Sequence, residues 1–462
     1  MSHNSMIRTG IAVAGAAAAL ALIPGSASAA FDAAHDTQCE NAGSIAGIGA
    51  SFQRDAQLAW GARLLLPNEG GPNPTGFGYA TAANGGCAAF AVGGSRSVTY
   101  EPRGSGDGRN AFGATGGVRN TNFAFGGADE PHNTAQLAAA NAGPTTATTD
   151  NATLHTIPVA QSSVAVDVRL PAGCEVLEAA EDRQISRTAL AGVFAAKSGY
   201  TTWGAVLPAI TGTTAGGDCA DAPVKRVVRA DSSGTTFAFK KYLASIDSAS
   251  FGPSAGLTNQ QWPNDAGATT VVRGGANGAG PQLDALNART AEGGIAYADL
   301  ATSRDKTFDW SGDSDATFWT YVQRANGTYA TPAVNNSSSA TGTARGSNCT
   351  TVSYADPTLP ATSPLPTTTG SWSNVDAVTT ATGYAICALT YSLAWQQASL
   401  ANVNRPAGQP AITQDQARAV KDYLGFAINA AGGQSQLAAA GYAPLPGGVR
   451  AIAQTGVNAL NY

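Results

Sequence analysis

The chain is poor in charge. Only 12% of its 462 residues are Asp, Glu, Lys or Arg, about half the share usual in soluble proteins. The balance is a formal −5, which argues against a basic nucleic-acid footprint. No Gly-Lys pair occurs, so a nucleotide-cradling P-loop is excluded. The four histidines (His3, His35, His132 and His155) have no metal-ligand spacing, and no Cys-x-x-Cys is present. A metal-dependent phosphatase would need clustered His and Asp ligands, which are absent here, and no metal or other cofactor is expected. The one Gly-x-Ser-x-Gly, at 252–256, has Pro253 before its serine, and no histidine follows His155. The Ser-Asp-His order of the hydrolase elbow therefore fails, and the segment reads as a loop. Past residue 23 no apolar run is long enough to cross a bilayer, so a soluble mature chain is expected.

What is present fits a large exported globular protein. The chain is 43% hydrophobic, enough for a sizeable core in two domains or one bilobal one. Arg8 precedes an apolar run at 11–23. Pro24-Gly25 breaks it, and Ala27-Ser28-Ala29 gives a small-x-small cleavage pattern. Residues 1–29 thus read as a signal peptide, and no nearby cysteine offers a lipid anchor. The six cysteines, Cys39, Cys87, Cys174, Cys219, Cys349 and Cys387, all lie beyond it. An even count in an exported chain points to disulfides. Pairing in sequence order is preferred, because each loop then stays within one region, but other pairings remain open.

Along the chain, residues 66–96 read as an elaborated loop or hairpin. Residues 156–170 read as strand passing between lobes, and 175–198 as helical. Strands are expected at 98–100, 224–229 and 293–300. Residues 325–375, dense in Ser, Thr, Pro, Gly and Asn, read as a surface insertion or flexible loop around Cys349. An amphipathic helix from Asp415 to Ala430 is expected to open with Thr413 as its N-cap.

Three segments share one design of strand, Gly/hydroxyl turn and helix: GIGASFQRDAQLAW (47–60), YEPRGSGDGRNAF (100–112) and VVRADSSGTTFAFKKYL (227–243). A helix start offers unpaired N–H groups and partial positive charge. Glycine admits close approach of an anion, and Ser or Thr adds donors. One such turn is ordinary capping; three in one chain, one preceded by Arg229, point to an oxyanion site. FAFGGADEP (123–131) adds Asp129 after a strand and a glycine pair. Asp129 beside Glu130 does not read as an acid–base pair, since neighbours in a strand face opposite ways.

This ordered set resembles the PstS-like phosphate-binding components of Pst-type ABC transporters, within the type II periplasmic binding proteins. The matching pieces are G-x-G-A-S-F at 47–52, G-S-G at 104–106, F-G-G-A-D-x-P at 125–131 and R-A-D-S-S-G-T-T-F at 229–237. Q-W-P at 261–263, G-x-x-G at 275–278, G-G-I-A-Y-A at 293–298 and the 424–446 tail follow in order. The resemblance implies two α/β lobes with a ligand cleft between them. Lobe one takes 40–157 and 300–462, and lobe two takes 158–299. It also implies roles. Ser51, the Phe52 amide and Ser105 donate to phosphate, and Asp129 accepts the proton of hydrogen-phosphate. Arg229, paired with Asp231, clamps the anion, and Ser233, Gly234 and Thr235 supply amides and hydroxyls. Sulfate, unprotonated at neutral pH, is repelled by Asp129.

The implied function is capture of inorganic phosphate and delivery to ABC permease subunits by a non-enzymatic monomer, periplasmic or secreted. The alternative is a secreted relative acting in scavenging or adhesion, or with weak phosphoesterase activity. Two departures stand out. Asp107 adds a negative charge to the second turn and is expected to cap its helix, with Arg109 as a possible compensating charge. Ala128 stands where the family commonly has Ser.

Overall fold

The computed structural model describes residues 30–65, 68–69, 73–145, 147, 151–174, 183–207, 218–252, 262, 271–308, 316–337, 340–378 and 382–462. The expected signal peptide, residues 175–182, most of 252–256, and Gln261 and Pro263 of the Q-W-P match lie outside them. In chain order the first strands are β1 (Ile45–Gly49), β2 (Arg63–Leu65), β3 (Asn68–Glu69), β4 (Val98–Glu101), β5 (Phe125–Ala128), β6 (Leu154–Arg169), β7 (Gln184–Ile185) and β8 (Arg226–Val228). They continue with β9 (Val271–Arg273), β10 (Gly294–Asp299), β11 (Thr317–Trp319), β12 (Tyr321–Gln323), β13 (Tyr329–Ala330), β14 (Ser353–Ala355), β15 (Asp376–Val378) and β16 (Cys387–Trp395).

The main sheet runs β3-β2-β4-β1-β5-β16-β6-β10-β8-β9, with β11 also on β6. β1 is parallel to β4 and β5, and β8 to β9 and β10. These are the two α/β lobes, each of parallel strands leading into helices. β6 joins them: its 154–163 half pairs with β16, and its 164–169 half with β10. The lobe boundary expected at 157–158 therefore falls inside one unbroken strand. β11 and β12, in the segment assigned to lobe one, pair with the far end of β6 and with β7.

Fifteen of the sixteen residues of β6 are buried, although His155, Thr156, Gln161, Ser162, Ser163, Asp167 and Arg169 interrupt its apolar positions. Its polar members are paired: Gln161 Nε2 donates to Pro444 O (2.6 Å) and Ser162 Oγ to Gly441 O (3.1 Å). Thus the 440–446 turn is stitched to the central strand. In lobe two, Phe239 stacks on Tyr297 at 4.4 Å, with Phe194 and Trp262 against them. In lobe one, Tyr423 packs on Phe125 and Phe77. The helix Gln414–Ile428 opens with a capping box between Thr413 and Gln416. Disulfides join Cys39 to Cys87, Cys174 to Cys219 and Cys349 to Cys387, the sequential set.

Two expectations are corrected. Among the described residues of the 175–198 stretch expected as helix, the helix is Arg187–Phe194, because β7 pairs with β12 just before it and Ser186 caps it through Ala189 N (3.1 Å). The described part of 325–375 is packed against the sheet rather than a free loop. Trp372 and Cys349 are fully buried, and Tyr354 OH donates to Gln161 Oε1 at 2.7 Å.

The helix Ser105–Ala111 lies almost on the backbone of β5. A Cβ on Gly108 would sit 2.1 Å from Gly127 O and 3.0 Å from Gly49 Cα. Glycine to alanine within a helix ordinarily gains up to about 1 kcal/mol. Here Gly108→Ala should instead destabilise by about 2 kcal/mol or more, because backbone must move. A chemical-denaturation midpoint at or above wild type would contradict this packing.

Candidate functional site

β1, β4 and β8 each end in a turn and a helix start. β1 passes into the tight turn Ser51–Gln53, β4 into Ser105–Ala111, and β8 into Gly234–Ala244. Backbone bonds tie the turns together. Gly104 N donates to Gly49 O (2.8 Å), Ala50 N to Gly127 O (2.9 Å), and Gly106 N to Ser232 O (3.2 Å). Glycine is required where they meet. Gly104 has φ +138°, and a Cβ there would lie 2.7 Å from Asp231 Oδ2. A Cβ on Gly234 would lie 2.4 Å from Ser105 Oγ and 2.7 Å from Asp129 Cβ.

From lobe one, Asp129 follows β5 directly and is 5% exposed. Its Oδ2 accepts from Ser105 Oγ (3.1 Å) and its Oδ1 from Thr390 Oγ1 (2.7 Å), while its amide donates to Ser105 Oγ (2.9 Å). From lobe two, Arg229 follows β8 and is 1% exposed. Its Nε and Nη2 engage the two oxygens of Asp231 at 2.7 and 2.5 Å. Nη2 also reaches Ser51 Oγ across the cleft at 3.2 Å. Asp231 accepts a further bond from Gly278 N (3.3 Å). Ser233 Oγ caps the third helix by accepting from Thr236 N (3.2 Å), which leaves its hydrogen for another acceptor. Gly234 and Thr235 are the first two residues of that helix. Arg229 Nη1 and Thr235 Oγ1 are buried and have no hydrogen-bond partner among the described residues.

The structure thus brings Ser51, Ser105, Asp129, Arg229, Asp231, Ser233, Gly234 and Thr235 to one enclosed locus between the lobes. Phe52 contributes only backbone there, since its ring packs edge-on against Tyr442 in the core and its carbonyl accepts the Tyr442 hydroxyl. Asp107 is corrected. The second helix is capped by Gly104 without any side chain, and Asp107 sits in the first turn, partly exposed. Arg109 does not compensate it but turns to Glu130 (3.2 Å) and Gln136 (2.9 Å). Two participants escape a reading of local motifs: Thr390 in the middle of β16, and Gln53, whose Nε2 donates to Thr390 Oγ1 (2.7 Å); Gly278, the last residue of the G-x-x-G piece, gains a role through its amide on Asp231. Thr390 carries no local signal beyond a hydroxyl in an apolar strand.

Burial pushes the Asp129 carboxyl up to about 7. The bonds from Thr390 and Ser105 pull it down, Asp299 pushes it further up, and Arg229 pulls down least. Asp299 is pushed to about 6, again chiefly by burial, while it caps the Leu300–Asp305 helix through Thr302 N (2.9 Å). Among the described residues no group of three or more His, Cys, Asp or Glu could hold a metal, and no helix is long and apolar enough to cross a membrane.

Residues 88–370, more than half of the chain, match the model of the PBP superfamily domain, and the chain belongs to that superfamily. No curated protein matches it. Among solved structures, a human phosphate binding apolipoprotein aligns at TM-score 0.54 and 19% identity, over 88% of this chain and 92% of that one. A high affinity periplasmic phosphate-binding protein, PfluDING, solved with bound phosphate, aligns at 0.51 and 20%, over 91% and 99%. A phosphate binding protein from Stenotrophomonas maltophilia aligns at 0.52 and 17%, over 90% and 94%. At these identities the shared property is the two-lobed fold.

A carboxyl whose folded pKa is raised from 3.8 to about 7 favours the folded state at low pH, and that contribution fades as pH rises through about 7. The ligand-free protein should therefore lose thermal stability between pH 5 and 8, roughly the span from below to above that pKa. Asp129→Asn should flatten the slope. A melting profile against pH of unchanged slope in the variant would refute the burial cost assigned to Asp129.

Proposed function

We propose that the chain is an extracytoplasmic solute-binding protein. It captures hydrogen-phosphate in the interlobe site and delivers it to an ABC-type phosphate permease. The observation that carries this reading is the donor set. Arg229 Nη1 and Thr235 Oγ1 are buried without partners beside three helix or turn starts, next to one carboxylate. Buried donors without acceptors cost free energy, and a tetrahedral oxyanion satisfies several of them at once. Because Asp231 already balances the Arg229 charge, the anion is held mainly by dipoles, namely the first amides of Gly234–Ala244 and the hydroxyls of Ser51, Ser233 and Thr235, while Ser105 gives its hydrogen to Asp129. Asp129 then selects for an anion that still carries a proton, since a carboxylate accepts from P–OH and repels a bare oxyanion.

The solved proteins described as phosphate-binding share this fold, which supports the same ligand class here. The leader at 1–29 and the three disulfides support work outside the cytoplasm, as a monomer that presents its liganded form to the permease. Opening and closing about β6 and β16 would admit and release the ligand, and no bond-making step is required of the site.

Calorimetric titration of the purified protein with phosphate, arsenate and sulfate tests the reading. Heat is expected with phosphate and arsenate and none with sulfate; no phosphate binding sinks it. Asp129→Asn should relax sulfate exclusion. Arg229→Ala should weaken phosphate binding by about 2–3 kcal/mol or more, because it leaves a buried anion underpaired. A negligible loss in Arg229→Ala would move the site elsewhere.

A further inference from the structure

A chain of buried side chains leads away from Asp129 into lobe one. Tyr423, on the helix Gln414–Ile428, donates its hydroxyl to Gln57 Oε1 (2.7 Å). Gln57 Nε2 donates to Gln53 Oε1 (3.0 Å), and Gln53 Nε2 donates to both Thr390 Oγ1 (2.7 Å) and Tyr391 O (2.8 Å). Thr390 Oγ1 meets Asp129 Oδ1 at 2.7 Å. Gln53, Gln57, Thr390 and Tyr423 are all 0% exposed. The second glycine of F-G-G-A-D makes room for them, since a Cβ on Gly127 would lie 2.2 Å from Tyr100 OH and 3.0 Å from Gln53 Oε1.

The direction of this chain is fixed by chemistry. The Tyr391 carbonyl can only accept, so the Gln53 amide must turn its NH2 toward it, and its two hydrogens go to Tyr391 O and Thr390 Oγ1. A threonine hydroxyl has one hydrogen. Receiving one from Gln53, it gives its own to Asp129 Oδ1. A proton on Oδ1 would then face another hydrogen, so Oδ1 is held as an acceptor. Only Oδ2, beside Ser105, remains to meet a ligand. The β16–β6 ladder shifts register between Thr390 and Tyr391, at the point where Thr390 reaches Asp129.

We propose that Thr390, oriented by Gln53, Gln57 and Tyr423, is a specificity-determining residue. It locks Asp129 as a hydrogen-bond acceptor and so makes the site read the proton on the bound oxyanion. This rests on the phosphate-binding reading above. Other groups act on the same carboxyl: Asp299 from the end of β10 and Arg229 from the end of β8. The phenols of Tyr100, Tyr391 and Tyr442 also lie within its electrostatic reach. Of all these groups, Thr390 and Ser105 donate to it directly, and Ser105 also lies next to Gly234 at the ligand side.

The test is calorimetry with phosphate and sulfate across pH on wild type, Thr390→Val and Thr390→Ser. Valine matches the shape and removes the donor, so Asp129 keeps its proton to higher pH. A protonated Asp129 is a weaker acceptor for hydrogen-phosphate than the carboxylate and can donate to sulfate. Phosphate affinity in Thr390→Val should fall about tenfold or more at pH 7. The acid limb of its pH profile should move up, and sulfate should begin to bind. Thr390→Ser, which keeps the hydroxyl, should restore affinity to within about threefold. Should Thr390→Val not fold, Gln53→Met reads the same bond, because Thr390 then loses the donor that turns its own hydrogen toward Asp129. Its expected shifts are the same. Unmoved affinity and acid limb in the variant, or weaker phosphate binding with sulfate still excluded, overturn the proposal while leaving phosphate binding intact. Wild type that does not bind phosphate overturns the underlying reading instead.

Discussion

The structure turns on burying two carboxylates in one cleft and giving them opposite tasks. Asp231 is saturated, with both oxygens taken by Arg229 and a third bond arriving from Gly278. Among the described residues Asp129 receives side-chain bonds from two hydroxyls, Ser105 and Thr390, and from no cation. A carboxylate fed by a guanidinium has both oxygens occupied. One fed by two hydroxyls in a dry site sits near the balance between charged and neutral, as its rise to about 7 indicates. The first arrangement steadies a cation; the second makes an acceptor sensitive to where protons are.

The rest of the scaffold brings those two groups together in one cleft. Positioning comes from backbone rather than from long side chains. Gly104 N on Gly49 O, Ala50 N on Gly127 O and Gly106 N on Ser232 O are short bonds between rigid strand ends. Such an assembly loses little entropy on binding, because few rotamers remain to be frozen. It also explains the glycines: at 104, 108, 127 and 234 a single methyl would collide with the neighbouring segment.

How much of this is legible in the sequence follows the distance over which each feature is decided. The three strand-turn-helix units are local, since glycine and hydroxyls at a strand end carry their own geometry, and each is found where the pattern puts it. The Thr413 cap is equally local. Asp107 looks like a cap by type, but Gly104 occupies the capping position through backbone shape alone, a choice that the close approach of Asp231 imposes. Arg109 is drawn away by Glu130, which composition cannot reveal. The polar stretch 325–375 reads as loose because composition averages over Trp372 and Cys349, the residues that anchor it.

Thr390 marks the far limit of what sequence can reveal. It lies 261 positions from Asp129, in a strand whose other features are apolar packing, and only the sheet order β5-β16-β6 makes them neighbours. The bond it forms has meaning only through Gln53, and the direction of Gln53 only through a carbonyl that cannot donate. β16 lies between the strand that carries Asp129 and the strand on which the lobes hinge. Its nine residues pair on one edge with β5, which leads into Asp129, and on the other with β6, which joins the lobes, so the strand order sets the carboxyl's hydroxyl partner.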